Sequence, residues 1–442
     1  MKSRVILKNN SKIHFIGIGG ANMSALATYC KNVGMVVSGS DILDGQTVKN
    51  LQNDGITVFI GHDRKNAHGA DIIVYNSAIS EDNPEYQFAL DHQKPLLKRS
   101  ELLSLIEKKH NFSIAVSGCH GKTTATSMLA HIFIKANKHP TCFIGGEDKT
   151  FGNFVMGDGV FITEACEFKK NFLTLSPDIA VVLNIDNDHL DCYGNMEQLK
   201  KAYKKFCSNK ISVINADDKN AVSISGACSI TYGITEPATF RAKNIVEEKG
   251  LKFSLYVNGV YKSIIRLKVS GKHNVYNALA AIACAMEYGI SLGIIKRALS
   301  SFTGVYRRQE ILGEINGCII EADYAHHPKE IQSVANQDDL VVFQPHTYSR
   351  TKILISDFTL ALKNNQTIIL PTYPAREEYD VEGSGYALYQ SLQSVGADST
   401  YADNNEMLFK TLDSKTKHYK RILFLGAGDI YFIAKKYAKK PQ

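Results

Sequence analysis

"SGCHGKTTATSMLAHIF", residues 117–133, follows the apolar run "FSIAVSG" that starts at Phe112, and it passes from glycines and a lysine into an apolar helical pattern. A strand, a glycine bend and a helix in that order make a phosphate loop of the parallel α/β kind. Gly118 and Gly121 free the backbone, and the N–H groups and positive dipole end of the helix attract phosphate. Lys122 reaches the β- and γ-phosphates as a point charge, and Thr123 is placed to hold Mg²⁺. The long Walker spacing is not met, because Val116 stands where it asks for glycine; a shorter G-x-x-G-K-T-T loop, Gly118 to Thr124, is left. The competing reading is a turn that caps a helix and exposes a lysine, but strand, loop, helix and threonines together favour a nucleotide.

Working outward, "GVFITEA" ends an apolar strand at Glu164, whose carboxylate would complete an oxygen shell for a hard cation. Glu167 follows and reads equally well as an exposed pair partner. "NIDNDHLD", 184–191, gathers Asp186, Asp188, His189 and Asp191 after another apolar strand, at the edge where open α/β sheets bind ligands; capping aspartates account for part of it, and His189 is the candidate metal or phosphate contact. "GKHNVYNALAA" sets His273, Asn274 and Asn277 about one turn apart at a helix start. A cap with an inward asparagine explains them as well as a ligand does.

Near the N-terminus, "GIGGANMS" places Gly17, Gly19 and Gly20 between strand and helix, with Asp41 after the next strand at about the ~20-residue offset of a dinucleotide fold. Asn22 occupies the place of the third glycine, so any pyrophosphate would suit the loop, NAD included. In the last third, "EADYAHHPKE" carries Asp323, Tyr324 and His326. Its two adjacent histidines point apart on an extended backbone, so they do not chelate one ion. "FQPHTYSRTK" ends a strand with His346, Tyr348 and Arg350, and the planar fork of Arg350 suits a carboxylate.

The rest of the chain frames these motifs. At 442 residues it exceeds the roughly 250–300 that one core supports, so two or three domains are expected. Strand and helix patterns alternate almost throughout, except at "LKFSLYVNGVYKSIIRLKV", where Asn258-Gly259 predicts a type I′ hairpin. The nine scattered cysteines contain no C-x-x-C pair, which fits thiols in a reducing compartment. No apolar run approaches the ~20 residues of a membrane span, and the start lacks a secretory core, so a cytoplasmic protein is expected. The net charge of +7 comes from dispersed lysines; it suits a phosphorylated substrate, and neither nucleic acid nor membrane is expected as a partner.

Taken in order, "GIGGANMS", "SGSD", "NSAI", "GCHGKTT", "TEACE", "NIDNDHLD", "GKHNVYNALA", "YRRQE", "DYAHHPKE", "FQPHTYSR" and "LGAGDI" resemble the Mur ligase family over essentially the whole chain. The resemblance implies three α/β domains. A Rossmann-like UDP-sugar domain would span 1–109, a central P-loop ATPase-like mixed sheet with a hairpin extension 110–302, and a Rossmann-like amino-acid domain 303–442. It implies an ATP-dependent ligase that joins L-alanine to the carboxylate of UDP-N-acetylmuramate through an acylphosphate, using Mg²⁺ or Mn²⁺. Gly17, Gly19, Gly20, Ser24 and Asp41 would surround the UDP part. Gly118, Cys119, His120, Gly121, Lys122, Thr123, Thr124, His273, Asn274, Asn277, Arg307 and Asp323 would bind ATP, with Arg308 near the phosphates. Thr123, Glu164 and His189 would hold the metal; Tyr324, His326, His346 and Arg350 would take the amino acid. Lys122, Glu164, His189, Arg308, His326 and Arg350 would carry catalysis. Where the family commonly has threonine stands Cys119, which would put a thiol beside the phosphates, open to thiol reagents. The rivals are a ligase that recycles a tripeptide onto the same sugar nucleotide, an NAD-dependent oxidoreductase and a nucleotide-sugar sensor without turnover. Monomer and homodimer are both compatible with the sequence.

Overall fold

The computed structural model describes residues 7–186, 190–208, 210–375 and 377–440. Of the positions singled out above, Asp188 and His189 lie outside them. The contacts divide the chain into two compact units, Met1–Gly304 and Val305–Gln442.

The first unit carries two sheets. One has five parallel strands in the order Thr57–Ile60, Val36–Asp41, Lys12–Ile16, Ile72–Tyr75, Leu96–Lys98. Its strand order reverses at Lys12–Ile16, and such a reversal leaves a crevice for a ligand beyond the strand ends. The glycine loop folds tightly over Val36–Asp41: a Cβ on Gly39 would lie 2.5 Å from Ile18 Cδ1 and 2.7 Å from the Phe15 carbonyl, so no larger residue fits there.

The other sheet has ten strands, with Ser113–Ser117 between Ile179–Val182 and Phe161–Glu164, both parallel to it. All four residues of Ile179–Val182 are fully buried, as expected for a strand covered on both faces. At one end of the sheet Leu251–Val257 and Val260–Leu267 pair antiparallel. Asn258 and Gly259 have φ of 50° and 76°, the left-handed pair a type I′ turn requires.

The two sheets share an apolar core. Tyr29, on the helix Ala21–Asn32 that follows the glycine loop, meets Phe143 and Phe154 of the second sheet at 5.9 and 6.3 Å between ring centres. Such aromatic pairs add about 0.5–1.5 kcal/mol each beyond area burial. Asn153 also donates to the Ala21 carbonyl at 2.7 Å, so the start of that helix is fixed against the second sheet.

The second unit has one six-stranded sheet in which Glu310–Ile315 runs antiparallel at the edge. Beyond it, Cys318–Asp323, Arg421–Leu425, Leu340–Phe343, Gln366–Ile369 and Ser399–Tyr401 are parallel. No helix among the described residues is long and apolar enough to cross a membrane.

Candidate active site

The loop 117–121 leaves the central strand of the ten-stranded sheet and enters the helix Lys122–Lys135. Gly118 and Gly121 take φ of 133° and 85°. A Cβ at Gly121 would lie 2.5 Å from Asn277 Oδ1, and one at Gly118 3.0 Å from Leu183 Cβ, so sterics as well as torsion require both glycines. Asn184, one strand away, donates to the His120 carbonyl at 3.0 Å and accepts from its N–H at 2.8 Å, which sets the crest of the loop. Asn184 opens the motif 184–191, but its contact with His120 is not legible there, because the partner lies 64 residues back.

Cys119 does not offer the thiol open to reagents that the resemblance implies. Its side chain turns into the fold, where Sγ accepts from the Asp186 N–H at 3.1 Å and is only 8% exposed.

Lys122 Nζ donates to the carbonyls of Gly118 and Cys119 and lies 3.2 Å from each oxygen of Glu167. Glu167 is a pair partner, as one of its two readings has it, but a fully buried one. The Tyr193 hydroxyl anchors the Glu167 carbonyl. Burial alone would lower the Lys122 pKa, but the Glu167 charge outweighs it and holds the ammonium above the ordinary lysine value. At neutral pH Lys122 is therefore held as an ammonium, paired with Glu167.

Glu164 ends the strand that pairs with Ser113–Ser117, in register with Val116, beside the start of the loop. Its carboxylate lies flat over Gly145, accepting from that N–H at 2.7 Å, and a Cβ there would overlap it. The Thr123 hydroxyl and Glu164 carboxylate are hard oxygen donors of the kind Mg²⁺ prefers. Among the described residues no group of three or more His, Cys, Asp or Glu side chains forms a cage. Thr124 is buried behind the loop.

The helix Lys272–Glu287 packs against the phosphate-loop helix, bringing His273, Asn274 and Asn277 to this side of the sheet. Asn274 and Asn277 are buried and linked at 3.2 Å, while Asn274 also donates to the Ser270 carbonyl. Gly271 stands at the cap and no side chain caps this helix start, so the capping reading gives way to the inward asparagines, with Asn277 beside Gly121.

In the first sheet, the Ser40 carbonyl accepts from Gly17 and Ile18 and the Asp41 carboxylate from Gly19 at 2.8 Å. Asp41 thereby pins the glycine loop. Gly20 caps the helix that follows, and Ser24 Oγ bonds back to the Ala21 carbonyl.

The second unit gathers the remaining candidates. Arg307 sits over the rings of Tyr324 and Tyr431 at 4.8 and 5.3 Å and donates to the Gly428 carbonyl at 2.7 Å. Arg308 lies over the Tyr324 ring at 5.1 Å and 3.9 Å from Glu330, with 30% of its side chain exposed. Asp323 is buried, its oxygens taking the N–H groups of Gln309 and Ala325 at 2.8 and 2.7 Å; burial raises its pKa against the pull of Arg308. His326 and His346 face each other at 5.9 Å, and Arg350 reaches the His346 ring at 3.4 Å. Burial, with Arg350 adding to it, lowers both imidazoles to about 4, so both are neutral at pH 7.

Residues 12–110 match the family description "Mur ligase family, catalytic domain" and residues 116–285 "Mur ligase middle domain". The chain is 40% identical to a UDP-N-acetylmuramate--L-alanine ligase of Acetivibrio thermocellus, over 97% of this chain and 96% of the relative. The chain belongs to the Mur ligase family. A second relative of this Mur ligase, the enzyme of that description from Clostridium beijerinckii, is 38% identical over 99% of this chain and all of its own length. Among solved structures, UDP-N-acetylmuramate-alanine ligase MurC of Thermotoga maritima superposes with a TM-score of 0.82 at 30% identity, covering 97% of this chain and 98% of that one.

Proposed function

We propose that this Mur ligase joins L-alanine to the carboxylate of UDP-N-acetylmuramate with conversion of ATP to ADP and phosphate, a step of peptidoglycan synthesis. The observation that carries the reading is the Lys122 ammonium, held charged by Glu167 in a glycine loop beside Glu164. The full-length likeness to L-alanine ligases supplies the substrates. Both nucleotide substrates make the cytoplasm the place of action.

A carboxylate is a poor acyl donor until it is phosphorylated. In the proposed sequence a muramyl carboxylate oxygen attacks the γ-phosphorus and ADP leaves. The amine of L-alanine then attacks the acylphosphate carbonyl, and phosphate departs with that carboxylate oxygen. Lys122 and Arg308 spread charge on the transferring group. Thr123 and Glu164, with His189, would hold Mg²⁺ or Mn²⁺, which supplies countercharge to the phosphates when bound. Arg350 takes the alanine carboxylate. His326 Nδ1 lies 3.0 Å from the Tyr324 carbonyl, so its proton belongs there and Nε2 offers a lone pair to the incoming amine; a neutral ring does so without repelling an ammonium.

Phosphate release from ATP tests the reading. It should require both UDP-N-acetylmuramate and an amino acid, with L-alanine preferred over serine, glycine and the tripeptide. Release with the tripeptide in preference to alanine would overturn it.

A further inference from the structure

Arg99 opens the helix Arg99–Glu107, the last element before the ten-stranded sheet begins at Ser113. No carboxylate among the described residues pairs with its guanidinium, although the residue is half-buried. It lines a small recess of about 10 Å³ with Glu164, Cys166 and Asn171 and with the apolar Leu103, Phe172 and Leu175. Its helix is tied to the far wall: Ser104 Oγ donates to the Thr174 carbonyl at 2.7 Å, Thr174 Oγ1 to the Ser100 carbonyl at 3.1 Å, and Glu107 accepts from the Ser176 N–H. Arg99 is therefore presented from a fixed support.

The wall segment of the recess is linked to both loops that the reaction must connect. On one side, the wall segment that contains Cys166 also contains Glu167, the partner of Lys122. The charges of Lys122 and Arg99 both act on the Cys166 thiol, against the burial that raises its pKa. On the other side, Lys169 of the same segment donates to the Ser77 carbonyl at 3.3 Å. Ser77 adjoins Asn76, whose side chain would stand 3.1 Å from a Cβ on Gly17 of the glycine loop. A sugar nucleotide seated on Gly17–Gly20 and reacting at Lys122 has to extend past this segment.

Charge decides what the recess takes. Lys122 and Glu167 balance each other's charge, and Glu164, before a cation binds, leaves a negative charge in the wall that would repel an entering carboxylate. Arg99 is the cation positioned to offset it, with two parallel N–H donors that match a carboxylate. We propose that Arg99 grips the carboxylate of the sugar nucleotide in this recess and so selects the acidic sugar over its neutral counterpart; this rests on the ligase reading above.

Calorimetry separates the two. UDP-N-acetylglucosamine shares every group of UDP-N-acetylmuramate except the carboxylate-bearing lactyl ether, and serves as the neutral probe. Arg99→Met should weaken UDP-N-acetylmuramate on the order of tenfold to a hundredfold, the loss expected for a charge-assisted pair, and leave UDP-N-acetylglucosamine unchanged. Arg99→Lys, which keeps the charge but not the fork, should recover part of the loss, and it decides the matter if the Met variant does not fold. Equal weakening of both nucleotides, or of neither, would overturn the assignment. The wild-type turnover assay is independent: absence of alanine-dependent phosphate release would defeat the ligase reading whatever Arg99 binds.

Discussion

Both carboxylate oxygens of Glu167 lie 3.2 Å from Nζ of Lys122, and Glu167 exposes no surface at all. Removing one partner of a buried pair strands the other, typically at a cost of about 3–5 kcal/mol. Glu167→Gln should lower the melting temperature by several degrees and reduce kcat at least tenfold, while UDP-N-acetylmuramate still binds. The folded Lys122 pKa is raised, so this stabilisation is complete below the ordinary lysine pKa of 10.5 and fades only as pH rises through the higher folded value. Unchanged melting and turnover would show that the pair does not position Lys122.

Gly121→Ala meets two obstacles. The backbone there has φ of 85°, and the new methyl would come 2.5 Å from Asn277 Oδ1. The strain of the torsion, about 1 kcal/mol, and displacement of Asn277 should together raise the KM for ATP by roughly tenfold or more. An ATP KM within twofold of wild type, read in the same phosphate assay, would argue against a tight loop.

The two imidazoles lowered to about 4 give a pH signature. Between that value and the ordinary 6.5 the unfolded chain binds more protons than the folded one, so stability is complete above pH 6.5 and falls as pH drops towards 4. Denaturant titrations should show a loss on the order of 3 kcal/mol for each ring across that window. NMR of the ring protons should find His326 and His346 untitrated at pH 5.5; protonation near 6.5 would contradict their burial.

Much of the architecture was legible because strand–helix alternation and glycine bends are local signals. The hairpin at Asn258-Gly259 and the phosphate loop before Lys122 fall where the pattern puts them. The short edge strand Gly152–Val155, with all four residues half-buried, carries no period-two alternation to read. The burial of Glu167 and the inward turn of Cys119 are illegible for a related reason: they depend on Lys122, 45 residues away, and on the Asp186 backbone, 67 residues away. Two asparagines, 184 and 277, act through contacts of the same long-range kind.

Arg350, beside His346 in the second unit, is assigned to the alanine carboxylate. Loss of that charge-assisted clamp in Arg350→Ala should reduce kcat/KM for alanine on the order of a hundredfold and leave the KM for ATP little changed. Steady-state kinetics with alanine varied decides it, and an unaltered kcat/KM would remove Arg350 from the amino-acid site.

The central claim is that the muramyl carboxylate is activated by phosphoryl transfer at Lys122. It is tested most directly by labelling both oxygens of that carboxylate with ¹⁸O and analysing the released phosphate by mass spectrometry. One labelled oxygen should appear in each phosphate, with the other retained in the new amide. Phosphate free of label, formed alongside product, would contradict the account.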